Sequence, residues 1–244
     1  MKRDGRIDLL VFVALALVGC APSDDGVPAR DTRSIADTLS SAPPAPATGV
    51  SPSSLATRHE AQAHFDRARA ALVREDFAAS ARALMPAIAF IRRHADEAEL
   101  GAVAALQGAA KELEVLAQRL AQGEAQTTRS FDRIVANANR AEAQHHLTRA
   151  KAAIATRDYV RGGEELVMSV DHMERAAWDL ERRRPAAGSA DLSRARALGV
   201  AMVQGRVPTR AETRRATDQL EAELRRLCAI IDEEARACAL EAAR

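Results

Sequence analysis

A pentapeptide, Glu60-Ala-Gln-Ala-His64, returns 82 residues later as Glu142-Ala-Gln-His-His146. The same offset pairs Arg67 with Arg149, Ala71 with Ala153, Asp76 with Asp158, Phe77 with Tyr159 and Leu84 with Leu166. From Glu60 to Ile91, ten of the thirty-two positions are identical between the two stretches. A self-similarity of that length marks one supersecondary unit used twice, each copy needing the rest of the chain to cover its apolar face.

The apolar spacing says what the unit is. Phe77, Ala81, Leu84, Ile88, Ile91 and Ala95 recur at steps of four and three, as do Tyr159, Gly163, Leu166, Val170, Met173, Ala177 and Leu180. That rhythm is the buried stripe of an α-helix. Aromatic residues make up only 3% of the chain while alanine is abundant, which favours closely packed helices over a β-sandwich. The expected fold is all-α, with about seven helices in a domain over 57–244 and repeat copies near 57–95 and 139–177. Thr57 to Glu60 and Thr209 to Glu212 read as capping boxes opening the first and last helices. Asp96 to Glu99 reads as a cap for the third. Pro86 should kink the second helix, and Pro185 with Gly188 should separate the fifth from the sixth. Phe77, Tyr159, Leu84 and Leu166 are the expected repeat core.

Each copy has an Asp-aromatic elbow followed by small residues, Ser80-Ala81 and Gly162-Gly163, which should let the helices of a hairpin cross closely. This elbow and rhythm are similar to the tetratricopeptide class of helical hairpins. The unit here is longer, and the Trp, Leu-Gly and terminal Pro signatures of that class are missing. Arrays of such hairpins commonly present grooves to partners.

The first nineteen residues carry an address. Lys2, Arg3 and Arg6 precede an apolar run from Leu9 to Val18, long enough for an export signal but far short of the ~20 residues that span a bilayer. The run ends in Leu17-Val18-Gly19-Cys20, which resembles the lipobox of bacterial lipoproteins. The resemblance implies cleavage before Cys20 and acylation of its thiol and new amino group, two or three chains being enough for stable anchoring. Ala21, where an Asp would signal retention, implies the outer membrane facing the periplasm. Residues 20–56 hold six of the nine prolines among Ser, Thr, Ala and Gly, and read as a disordered tether.

Charge excludes one class of partner. The net charge is +1, balanced along the chain, with no clustered basic surplus of the kind a nucleic-acid binder carries. No nucleophile elbow or phosphate loop is present, so no enzyme activity and no cofactor are expected. Glu60 with His64, and Glu142 with His146, stand four residues apart on one face of a helix in each copy. They are either surface ion pairs inherited on duplication or halves of a metal or small-ligand site, with His145 as a further ligand. His59, His94 and His172 read as solvated, and Trp178 as a core or groove residue. Arg182 to Arg184 suit the negative end of a helix dipole. Cys228 and Cys238 fall on one helix, ten residues and ~15 Å apart, too far for a disulfide within the chain. The leading expectation is a non-enzymatic, membrane-anchored helical module that binds a protein partner in the envelope or serves it structurally. The alternative is a ligand- or metal-binding bundle built on the Glu-His pairs.

Overall fold

The computed structural model describes residues 52–181 and 190–242, with side chains over 61–180 and 190–239. Cys20, the lipobox, the tether up to residue 51, the side chains of His59 and Glu60, and Arg182 to Arg184 lie outside these limits. Among the described residues every regular element is a helix: α1 (Pro52–Val73), α2 (Phe77–Asp96), α3 (Leu100–Ala121), α4 (Thr128–Ala155), α5 (Tyr159–Glu181), α6 (Ala190–Val203) and α7 (Arg210–Ala242). None is long and apolar enough to cross a membrane.

The duplication is visible bond by bond at the two elbows. α1 ends at Val73 and α4 at Ala155, and each is followed by a non-glycine residue in the left-handed region, Glu75 (φ 60°) and Arg157 (φ 64°). The Asp76 and Asp158 amides reach back to the Ala71 and Ala153 carbonyls at 3.0 and 2.9 Å, and the Glu75 and Arg157 amides to Leu72 and Ile154. These are paired Schellman turns, which satisfy carbonyls the helix ends would leave open. Each aspartate then opens the next helix: Asp76 Oδ1 accepts from the Ala79 amide at 2.9 Å and Asp158 Oδ1 from the Arg161 amide at 3.2 Å. The chain reverses because both ends of one short turn are capped, not because a glycine relaxes it.

Three boundaries differ from the sequence reading. α1 begins at Pro52, inside the expected tether, so Thr57 lies within the helix and does not cap it. A proline fits the first helical position, where its missing N–H has no intrahelical partner to lose. α2 runs through Pro86 as one helix and absorbs Asp96, leaving Glu99 to open α3 without a side-chain hydrogen bond. The last capping box forms as expected: Thr209 Oγ1 accepts from the Glu212 amide at 3.2 Å, and the Glu212 carboxylate from the Thr209 amide at 2.8 Å.

α4 is the axis of the body. It packs against α1, α3, α5 and α7 and is buried on several faces, with Phe131, Ile134, Ala138, Ala141, Ala143, Leu147 and Ala150 all covered. One apolar cluster joins α1, α2 and α3 to Phe131, Ile134, Ala138 and Ala141. A second joins α5, α6 and α7 to Ala136, Ala143, Leu147 and Ala150. Leu84 and Leu166, equivalent in the two copies, are wholly buried, one in each cluster. Phe77 and Tyr159 are only half-buried and lie against the edges of their clusters. Arg69 of α1 ties to Asp132 of α4 through two hydrogen bonds of 2.7 and 3.0 Å. Arg129 and Lys151, near opposite ends of α4, pair with Glu234 and Glu221, so α7 lies antiparallel along it.

The small residues after the second elbow face two neighbours. A Cβ on Gly162 would stand 2.9 Å from the Ile154 side chain of α4, as a close hairpin requires. A Cβ on Gly163 would stand 2.5 Å from the Gly199 carbonyl of α6, and one on Gly199 would stand 2.8 Å from the Gly163 carbonyl. Gly163 therefore serves the α5–α6 crossing, not the hairpin. Cys228 and Cys238 lie partly buried on α7, and no disulfide joins them.

Candidate metal centre

Beside the apolar stripes runs a second, polar one. Asn139, Glu142 and His146 follow one another on α4 at steps of three and four; Glu165, Ser169, His172 and Asp179 do the same on α5, with Ala176 at the intervening step. All seven are buried, as is His145, which is 0% exposed. His94, in the last turn of α2, joins them with 14% of its side chain exposed. The neighbours along the chain place this polar group where the two apolar clusters meet. Ala141 and Ile91 belong to the first cluster; Ala143, Leu147 and Leu166 belong to the second.

Three ligand-bearing side chains converge. His94 Nδ1 and Glu142 Oε2 are 2.7 Å apart, and His146 Nε2 is 4.0 Å from the same oxygen. Ligand atoms of His94, Glu142 and His146 all lie within 4.8 Å of one another. On its other nitrogen His146 meets Glu165 Oε2 at 2.7 Å, and Glu165 Oε1 pairs with Arg149 Nε at 2.9 Å. His172 stacks on His146 with ring centroids 5.4 Å apart and planes within 9°, and its Nδ1 lies 3.1 Å from Asn139 Oδ1. Asn139 in turn donates to Asp179 at 3.1 Å. The second carboxylate oxygen of Glu142 and both ring nitrogens of His145 are buried without a hydrogen-bond partner. Leaving such a group unsatisfied costs ~1–3 kcal/mol.

Burial governs the electrostatics. It pushes the Glu142 carboxyl above its usual range, with the hydrogen bond from His94 pulling the other way. Burial also raises Glu165, against the pull of Arg149. His145 is pushed down to about 3, first by burial and then by His146, His94 and Arg149, so its ring is neutral at ordinary pH. Imidazole nitrogens and a carboxylate gathered among buried side chains are the ligand chemistry of zinc and its neighbours, whose bonds to nitrogen and oxygen run ~2.0–2.2 Å. A divalent cation also supplies the charge that a buried carboxylate lacks.

Of the two Glu-His pairs, the structure brings one to this point. Glu142 and His146 are deep in the body, so the surface-ion-pair reading does not hold for the second copy. His64 stands on α1, half-buried, with Nδ1 3.0 Å from Arg67 Nη2, and is not among the converging ligands. His94 and His172, read as solvated, are the corrections on the other side: one is a candidate ligand and the other a buried support. Their signal was present in the polar stripe on α5 and in the placement of His94 four residues after Phe90 and three after Ile91. Asp171 pairs with Arg196 and serves the α5–α6 contact. Trp178 is half-buried. No protein-family model, curated protein or solved structure matches the chain.

Proposed function

We propose that this chain is an envelope lipoprotein whose helical body holds a divalent transition-metal ion, of the zinc class, between α2 and α4. The observation that carries the reading is the convergence of His94, Glu142 and His146 within 4.8 Å, buried between two apolar clusters. Glu165 and Arg149 behind His146 form the outer support that metal-ligating histidines have, fixing the ring and its tautomer. The role is binding, not catalysis, and the address comes from Leu17-Val18-Gly19-Cys20. The protein-partner reading shares that address, but no single geometric feature carries it, so it stands second.

Zinc should raise the melting temperature of the chelator-stripped protein, by the equivalent of about 2.7 kcal/mol at a hundredfold excess over Kd. His94→Ala with His146→Ala should abolish the rise, while His64→Ala should leave it intact. A rise that survives in the double variant, or none in the parent, overturns the reading. Lipidation has its own test: Cys20→Ser should lose incorporation of a labelled fatty acid, and unchanged labelling would refute the anchor.

A further inference from the structure

His145 is the one imidazole in the group whose ring nitrogens meet no hydrogen-bond partner, although its side chain is wholly buried. It stands three residues after Glu142 and one before His146, on the side of α4 that carries both. Its ring centroid is 5.3 Å from that of His94 and 5.3 Å from that of His146, which are themselves 6.1 Å apart. Imidazoles bound at ~2.0–2.1 Å to one tetrahedral ion stand with their centroids ~5 Å apart. The triangle of rings is thus already close to the size that one ion imposes. In the first repeat copy the equivalent residue is Ala63, so nothing in the hairpin itself demands a ring there.

Resting on the metal reading above, we infer that His145 is the fourth ligand, closing a site of three imidazoles and one carboxylate around the ion. His145 lies outside the set of ligand atoms already within 4.8 Å of one another, so closure requires its side chain to turn. That turn breaks no hydrogen bond, because the ring makes none. The completed set spans α2 of the first hairpin and α4 of the second, so the ion fastens the two copies together. A site with four protein ligands is the structural kind; an open fourth position is what metal catalysis needs. The inferred occupant is therefore an ion held without an exchangeable water.

The full chain in detergent micelles, stripped and reloaded with cobalt(II) or zinc, tests this. The cobalt form should show the intense visible bands of a four-coordinate ion, unmoved by azide. X-ray absorption at the zinc edge should count three imidazoles. His145→Ala should weaken cobalt binding by at least ~10–100-fold, the loss that even an outer partner's removal brings, and make the spectrum azide-sensitive. Two imidazoles and an azide-sensitive spectrum in the parent, with Kd unchanged in His145→Ala but binding lost in His94→Ala, would overturn the fourth ligand and keep the site. No cobalt or zinc uptake by the parent would remove both. The absorption measurement on the parent decides the matter even if the His145 variant does not fold.

Discussion

The two hairpins share a turn and differ in what they carry. α1 and α2 meet at an elbow whose capping bonds recur in α4 and α5 at the same offset. Yet Ala63, Ala83, Ala87 and Phe90 of the first copy correspond to His145, Glu165, Ser169 and His172 of the second. The first copy is apolar where the second is polar and buried. In the second copy α4 and α5 pack on each other and, between them, on α1, α3, α6 and α7, so the polar residues they carry are covered and must face one another. Duplication supplied the scaffold, and burial of one copy made chemistry available there that the other cannot offer.

If the cores of the copies are truly equivalent, Leu84→Ala and Leu166→Ala should each cost ~2–5 kcal/mol, read from denaturant midpoints. Phe77→Ala and Tyr159→Ala should cost less than the ~3–5 kcal/mol of a fully buried aromatic, since both are half-buried. A large asymmetry within either pair would break the equivalence.

Acid should separate the copies next. In the chelator-stripped protein, His145 has a folded-state value of about 3, well below the ordinary histidine value. The folded state thus disfavours its charged form: the full contribution to stability is present above the unfolded value of ~6.5 and is lost as pH falls toward the folded one. The loss from this residue should be about 1.4 kcal/mol per pH unit below that value. His145→Ala, which installs the first copy's residue, should flatten the stability profile between about pH 6 and 4. An unchanged slope would remove His145 as its source.

A smaller effect tests the crossing. Gly163→Ala, which makes the second copy resemble Ala81 of the first, should destabilise by ~1–3 kcal/mol because the new methyl meets the Gly199 carbonyl. The reverse exchange, Ala81→Gly, should cost only ~0.5–1 kcal/mol of helix propensity. Equal costs would mean that α5 and α6 are not so tightly apposed. Smallest of all, Glu75→Gly and Arg157→Gly should each stabilise by about 0.5–1 kcal/mol, relieving the left-handed residue at the elbow. Opposite signs at the two elbows would show that the turns are not alike.

Much of the fold could be read locally. The two Asp-aromatic elbows and the Thr209–Glu212 capping box stand where expected because caps, turns and apolar rhythm are short-range signals. Pro52 opens α1 although it sits among tether prolines, since proline breaks a helix inside but fits its first turn. The site was only half legible. The repeat points to Glu142 and His146, with His145 beside them, but burial is a property of the neighbour. The spacing of His94 from Phe90 and Ile91 sets it beside the apolar stripe of α2, but what it meets there depends on α4, almost fifty residues away. His64 carries the same motif and lies elsewhere for the same reason.

The antiparallel run of α7 along α4 orders events in time. Every residue of the first apolar cluster lies at or before Ala141, so that cluster is complete when about three-fifths of the chain is available. The second cluster needs Ala216, Leu220 and Leu227, and the ties to α4 need Glu221 and Glu234. Until those residues arrive, Leu147, Leu166 and Val170 have no finished enclosure. A chain delivered from its N-terminus thus shapes one half of its body while the other stays open, exposing an apolar surface that invites a chaperone or a second molecule. Ending the chain before Ala216 would leave that half-built intermediate as the final product.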